Sequence, residues 1–258
     1  MPDARVLLSL SLCLGLAACA SAPASPDLPP TLTAQTADGV TIYGETYMGD
    51  LDASAPLVLL FHQAGANGRS EYAEIAAWLN ASGIRAIAWD QRAGGDHFGG
   101  TNRTADGLVE GTPAEFCDAY PDLVAALEAT SVAVRDAPVF VWGSSYSAAL
   151  VFQLVAKHPE RVAGVLAFSP ASGGPMAACR ARQWLDDVEA PALVLRPASE
   201  MERESSIEQR DLMEAAGVEV HVVENGVHGS SMLVDSRTEH DMASARSHVL
   251  AWIQRQAR

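Results

Sequence analysis

The stretch VFVWGSSYSAALVFQLVAKHPE, Val139 to Glu160, decides how this chain reads. Val139 to Trp142 has the character of a buried strand, and Ser147 to Lys157 carries apolar residues at helical spacing until Pro159 stops it. Only Gly143-Ser144-Ser145-Tyr146 separates the two. A strand-to-helix corner that tight forces its central residue into a strained backbone conformation and draws neighbouring chain close, so the residues two before and two after must be small. Gly143 and Ser147 meet that demand, and the pattern is Gly-x-Ser-x-small with a strand before and a helix after, the setting of a nucleophile elbow. Ser145 is then the side chain lifted above the sheet edge, over a helix N-terminus whose amides and dipole favour developing negative charge.

Outward from this corner the chain alternates strand-like and helix-like segments. Thr31 to Ala37 and Thr41 to Met48 flank Asp38-Gly39, a dipeptide suited to a hairpin turn. Leu57 to His62 is apolar on both faces, as expected of a strand covered by helices on each side, and Ser70 to Asn80 is helical up to Gly83. Ile84 to Trp89 is a strand. Pro113 to about Val134 reads as helix interrupted by Pro121. After the corner come a strand at Val162 to Phe168, a short helical piece around Met176 to Asp187, a strand at Ala192 to Leu195, a helix at Ser206 to Ala216, a strand at Val218 to Val223, and a closing helix from Glu239 to Gln256. The expectation is an α/β fold: a mostly parallel eight-stranded sheet with helices on both faces and no large lid, occupying residues 31–258.

A serine hydroxyl needs a base, and the base an orienting group. Of the seven histidines, His158 ends a helix, His221 lies in a strand, His240 and His248 fall on the closing helix and His97 in a loop. His228, in Asn225-Gly226-Val227-His228-Gly229, follows the last strand, at the sheet end where ligand crevices of open α/β sheets lie. His228 is therefore the candidate base. The acid is expected from another strand end between Ser145 and His228. The segment after Phe168 has no carboxylate, whereas Arg196-Pro-Ala-Ser-Glu-Met-Glu-Arg-Glu204 has three; Glu200 is closest to the sheet and is the choice, with Glu202 the rival.

Composition narrows the function. The net charge is −15, with sixteen Arg and one Lys against 32 acidic residues, and no basic run could follow a phosphate backbone, so nucleic acid is disfavoured as a partner. Glycine-rich phosphate cradles and metal-binding motifs such as His-Glu-x-x-His or Cys-x-x-Cys do not occur, so neither cofactor nor metal is expected.

Residues 1–18 have one Arg and an apolar run, Val6 to Ala18, too short for a membrane span but suited to a signal peptide. Leu16-Ala17-Ala18-Cys19 is similar to the lipobox of bacterial lipoproteins, which implies lipid on Cys19 and attachment to a membrane surface; an ordinary secretory signal cleaved at one of the alanines is the alternative. Ala20 in place of an acidic residue leans towards the outer membrane of a bacterial envelope, and the Pro/Ser/Ala-rich Ser21 to Pro30 completes a tether over residues 19–30. In that oxidising compartment Cys117 and Cys179 either form a disulfide or remain two buried thiols.

The chain from Thr31 onward resembles the α/β-hydrolase family. His62-Gln63-Ala64-Gly65 is similar to that family's His-Gly-x-Gly segment, Asp90-Gln91-Arg92-Ala93-Gly94-Gly95 to its Asp-x-Arg-Gly-x-Gly loop, and Pro191 to Glu200 to the segment ending in its acid, with Glu for the more frequent Asp. The resemblance implies a cofactor-free serine hydrolase of the Ser145–His228–Glu200 type, its oxyanion hole formed by the backbone N–H groups of Ala64 and Tyr146. Two departures stand out: Ser147 replaces the more usual Gly, and Gln63, where Gly is common, has a side chain that either donates to the oxyanion or narrows the pocket. A carboxylic ester of small or exposed acyl group is the expected substrate. Amide or peptide cleavage, thioester or dienelactone chemistry, and a non-catalytic tethered binding module are the alternatives.

Overall fold

A computed structural model of the chain describes residues 30–131, 134 and 137–258. The expected signal peptide (1–18), Cys19 and the tether up to residue 29 lie outside the described residues. Strands β1 (Thr31–Gln35) and β2 (Thr41–Tyr47) form the leading hairpin, with Gly39 at φ 85° in its turn. There follow β3 (Leu57–Phe61), α1 (Gly68–Ala81), β4 (Arg85–Asp90), α2 (Arg103–Asp106), α3 (Tyr120–Ser131), β5 (Val139–Ser144), α4 (Tyr146–Lys157), β6 (Gly164–Phe168), β7 (Ala192–Pro197), α5 (Glu204–Ala215), β8 (Glu219–Val223), α6 (Asp235–Thr238) and α7 (Ala243–Gln256). The eight strands lie in the order β1-β2-β4-β3-β5-β6-β7-β8. β2 is antiparallel to β1 and to β4, and every pairing from β4 across to β8 is parallel.

The central strands are apolar throughout because both their faces are covered. Leu57, Leu59 and Phe61 of β3, with Val141 of β5 and Val165 of β6, pack against α3 and α4. Val58 and Leu60, with Phe140, Trp142 and Leu166, face Tyr72, Ile75 and Leu79 of α1 and Val249, Trp252 and Ile253 of α7. Each such buried side chain stabilises the fold by roughly 1.5–3 kcal/mol relative to leaving it in water. Helix α4 is buried on nearly all sides, which explains its lack of a polar face. β5 therefore lies mid-sheet, and its C-terminal end opens at the centre of the molecule.

Two expectations are corrected and one element is added. Pro121 does not interrupt a helix: it lies in the first turn of α3, where an N–H would have no intrahelical partner anyway, and the chain before it forms only a 3-10 turn at Phe116–Ala119. The closing helix begins at Ala243 rather than Glu239, because Glu239 adopts the left-handed conformation (φ 60°) that ends α6; His240 thus precedes the helix. α2 was not foreseen; Asn102 caps it, its side chain accepting the Ala105 N–H at 2.8 Å.

Cys117, in the Phe116–Ala119 turn, is disulfide-bonded to Cys179 in the connection between β6 and β7. That connection holds three single 3-10 turns and no lid helix. Among the described residues no helix is long and apolar enough to cross a membrane. The disulfide closes a loop with a sequence separation of 62. A loop of that length corresponds to about 4 kcal/mol of chain entropy removed from the unfolded state. Reduction, or Cys117→Ser with Cys179→Ser, should lower the unfolding free energy by an amount approaching that figure and raise the m-value as the unfolded chain is released from its crosslink, measured by urea titration and circular dichroism in oxidising and reducing buffer.

Candidate active site

The corner after β5 has the strain its sequence demands. Ser145 stands at φ 59°, ψ −113°, between the last strand residue and the first turn of α4. A Cβ on Gly143 would fall 2.4 Å from the Ser147 carbonyl oxygen and 2.5 Å from the Ala148 nitrogen, so that position admits glycine alone. Ser147 does not crowd the turn: its hydroxyl donates to the His62 carbonyl at 2.6 Å and accepts from Gln91 Nε2 at 2.9 Å, fastening the start of α4 to the end of β3. The Ser145 N–H donates to Phe168 O at 2.9 Å, and its carbonyl accepts from Ala171 N–H at 3.0 Å, fastening the same corner to the end of β6.

The structure brings the three sequence-derived side chains together. His228 Nε2 lies 2.9 Å from Ser145 Oγ, and His228 Nδ1 lies 2.5 Å from Glu200 Oε1. Glu200 reaches the imidazole from the 3-10 turn Ala198–Glu202 at the end of β7 and is buried, whereas Glu202 points to solvent. Arg196 Nη1 donates to Glu200 Oε2 at 2.7 Å, and Arg196 is itself held by the Pro170 carbonyl and Gln209. Burial pushes the Glu200 carboxyl up, but the hydrogen bond from His228 and the charge of Arg196 outweigh it and leave the carboxyl below its ordinary range. An ionised carboxylate only accepts, so Nδ1 carries the proton and Nε2 is free to accept one from Ser145.

His228 precedes Gly229, whose φ of 71° suits glycine and whose Cα is so crowded that a Cβ would lie 2.5 Å from Ser144 Oγ and 2.6 Å from Gln63 Oε1. The Gly229 N–H donates to Ser169 Oγ at 3.1 Å and the Ser230 N–H to Ser144 Oγ at 2.9 Å, so the histidine loop is anchored to the ends of β5 and β6. Gln63 thus has its side-chain oxygen buried beneath the histidine loop.

His62, His221 and His248 lie in other surroundings. His62 is fully buried; its Nδ1–H donates to Gln63 O at 2.8 Å, its Nε2 accepts the Gln91 N–H at 2.8 Å, and burial depresses its pKa. His221 stacks on His248 at 4.1 Å at the far edge of the sheet. The segment His62 to Ala66 is fixed by this histidine, by Asn102 Nδ2 on Ala66 O at 3.1 Å and by Glu71, which accepts the Gln63 N–H at 2.7 Å. Among the described residues the N–H groups of Ala64 and Tyr146 have no acceptor within the protein, and they flank the Ser145 corner from the β3 and α4 sides. The Asp90–Gly95 loop is structural: buried Arg92 joins Asp122 of α3 to Asp38 of the hairpin.

Arg196, Gln209 and Glu71 were not singled out in the sequence. Arg196 had a signal, a lone charge closing the apolar strand ALVLRP, and so had Glu71, which shares a helical face with Ile75 and Leu79.

Residues 53–254 match the family model Hydrolase_4, described as serine aminopeptidase, S33. The chain belongs to that family. It is an α/β hydrolase, and solved structures share its fold at low identity. The dienelactone hydrolase of Anabaena variabilis ATCC 29413 superposes with a TM-score of 0.66 at 15% identity over 88% of this chain and 97% of that one. Est1E from Butyrivibrio proteoclasticus gives 0.64 at 11% over 88% and 99%, and the proline iminopeptidase of Mycobacterium smegmatis 0.62 at 12% over 88% and 98%. No curated protein sequence matches the chain.

For Glu200 the linkage runs in the acidic direction. Its folded-state pKa lies below its unfolded value, so its contribution to stability is complete above the unfolded carboxylate range, near pH 4.3, and is lost as pH falls through the folded value. Urea unfolding between about pH 3 and 6 should show a stability slope that is shallower in Glu200→Gln; an identical slope would mean that the carboxylate is not held in its charged form.

Proposed function

We propose that the hydrolase uses Ser145 as nucleophile, His228 as general base and Glu200 as the group that orients it, cleaving carboxylic esters through an acyl-enzyme. The observation that carries this reading is the unbroken Glu200–His228–Ser145 relay, 2.5 and 2.9 Å long, set on a strained corner at the C-terminal edge of the sheet. Ser145 Oγ attacks the acyl carbonyl as its proton passes to His228 Nε2, and the imidazolium so formed is stabilised through Nδ1–H by Glu200. The oxyanion is received by the N–H groups of Ala64 and Tyr146; losing one donor of this kind typically raises the barrier by about 3 kcal/mol. His228 then returns the proton to the leaving alcohol, and a water deprotonated by the same nitrogen releases the acid.

An ester with an exposed acyl group is the substrate we infer, since the connection between β6 and β7 holds only short 3-10 turns and the His228 side chain is half-exposed. With p-nitrophenyl acetate, wild-type protein should show a burst of nitrophenol that is absent in Ser145→Ala, and a fluorophosphonate adduct should map to Ser145. Turnover of aminoacyl anilides at rates comparable with esters would replace the esterase reading by a peptidase one; no burst and no adduct would leave a tethered binding module.

For its location we infer a lipid-anchored protein of a bacterial outer membrane, on the strength of Leu16-Ala17-Ala18-Cys19. In a bacterial host the wild-type chain should incorporate a clickable fatty acid and fractionate with outer membranes, and Cys19→Ala should do neither.

A further inference from the structure

Behind the candidate site lies a carboxyl that the relay does not use. Glu71, in the first turn of α1, is fully buried, and its Oε2 accepts the N–H of Gln63, the residue immediately before Ala64. We propose that Glu71 is a positioning residue of the oxyanion site, acting through the Gln63 peptide, and that it does so as a neutral acid. The inference rests on the reading of the Ala64 and Tyr146 amides as oxyanion donors.

Three observations carry it. The first is the tether itself: of the N–H groups in the segment, that of Gln63 is bound by Glu71 and that of Ala66 by the Gln63 carbonyl at 3.2 Å, which sets the peptide plane from which the Ala64 N–H projects. The second is that no cation among the described residues forms an ion pair with the carboxyl. Arg237 of α6 is the guanidinium nearest in role, and its hydrogen bonds go to the backbone carbonyls of Ser70 (2.8 Å) and Glu71 (3.0 Å) and to Ser231 Oγ (3.2 Å). A buried, unpaired carboxylate is costly enough that protonation relieves it.

The third is an accounting of protons. Glu71 Oε1 and Gln63 Oε1 are both buried acceptors without a hydrogen-bond donor among the described residues. The hydroxyl of Ser144, whose oxygen already accepts the Ser230 N–H, has a single proton and can serve one of them. A proton on Glu71 Oε1 turns one of these two buried acceptors into a donor and removes its charge. In agreement, burial pushes the Glu71 carboxyl up to about 7 against the opposing pull of the Ser144 hydroxyl, the Gln63 N–H and the charges of Arg237 and His228. The other ionisable groups around it are phenols, Tyr72 on its own helix and Tyr146 on α4, both raised by burial, and Asp90 on β4, whose oxygens are taken by the Gly68 N–H and by Arg103.

An ionised Glu71 would place an uncompensated negative charge next to the peptide meant to receive an oxyanion, and in a buried setting that repulsion raises the barrier. The kcat–pH profile of the wild type should therefore fall on its alkaline side as Glu71 ionises. Glu71→Gln keeps an acceptor for the Gln63 N–H and cannot ionise, so it should hold kcat within about threefold of wild type at low pH and lack the alkaline fall. Glu71→Ala should lose roughly 10- to 100-fold in kcat with KM nearly unchanged, as expected when an oxyanion donor is misplaced.

An alkaline limb persisting in Glu71→Gln, or a wild-type kcat in Glu71→Ala, would overturn the proposal. If Glu71→Ala does not fold, the Gln variant decides. A second arm needs no turnover: in a Ser145→Ala background, infrared difference spectra across neutral pH should show a carboxylic acid carbonyl band that is missing when Glu71→Gln is added. Absence of that band overturns the neutral acid whatever Ser145 does, whereas retained ester hydrolysis by Ser145→Ala would overturn the nucleophile assignment and leave the band to be judged separately.

Discussion

At Ser145 the backbone is held at φ 59°, ψ −113°, a conformation that costs a non-glycine residue on the order of 1–3 kcal/mol and survives only when its surroundings over-determine it. Here they do so from three sides. Gly143 lets α4 approach the strand it has just left, Ser147 ties α4 to the end of β3, and Phe168 O and Ala171 N–H clamp the Ser145 peptide to the edge of β6. The corner is thus part of the sheet's hydrogen bonding and packing. Because β5 lies in the middle of the eight strands, everything that must meet the serine can arrive from neighbouring strand ends: the β3 loop from one side, the β7 and β8 loops from the other.

The polar residues around that corner divide by how their charge is balanced. Arg92 is buried between Asp122 and Asp38, and Arg196 is buried against Glu200, Gln209 and the Pro170 carbonyl. In both cases an opposite charge and well-directed hydrogen bonds offset desolvation, and the carboxylates are held in defined orientations. For Glu200 the consequence is chemical, since a carboxylate locked by Arg196 on one oxygen offers the other to the imidazole at a fixed angle. Glu71 is buried to the same degree with no cation hydrogen-bonded to its carboxyl among the described residues, and burial raises its pKa.

The walls of the site have a different origin. The connection between β6 and β7 is too short to build a lid, and the disulfide from Cys117 to Cys179 pins it to the turn that precedes α3. Phe116 in that turn stacks on Tyr146 at 5.0 Å, so the crosslink also braces the first residue of α4. A bond between segments remote in sequence in this way stiffens the corner that carries the candidate nucleophile.

Much of this was legible beforehand. Two-sided apolar runs marked the central strands, because a strand covered on both faces has no position for a polar residue, and the small residues around Ser145 marked the corner, because a sharp turn excludes bulk locally. His228 and Glu200 could be chosen by elimination, since strand order along the chain limits which loops gather at one edge. Pro121, by contrast, was misread as a helix breaker, because whether proline opens or breaks a helix depends on where the first hydrogen bond forms. What the amino-acid order determined by itself was local: the periods of burial, the tight turn, the candidate side chains. Only the tertiary structure decided that Cys117 lies against Cys179, that Arg196 rather than solvent faces Glu200, and that Glu71 and Gln63 meet beneath the histidine loop. Those pairings depend on the relative positions of segments far apart in the chain, which hydrophobic pattern and turn chemistry leave open until the sheet is assembled.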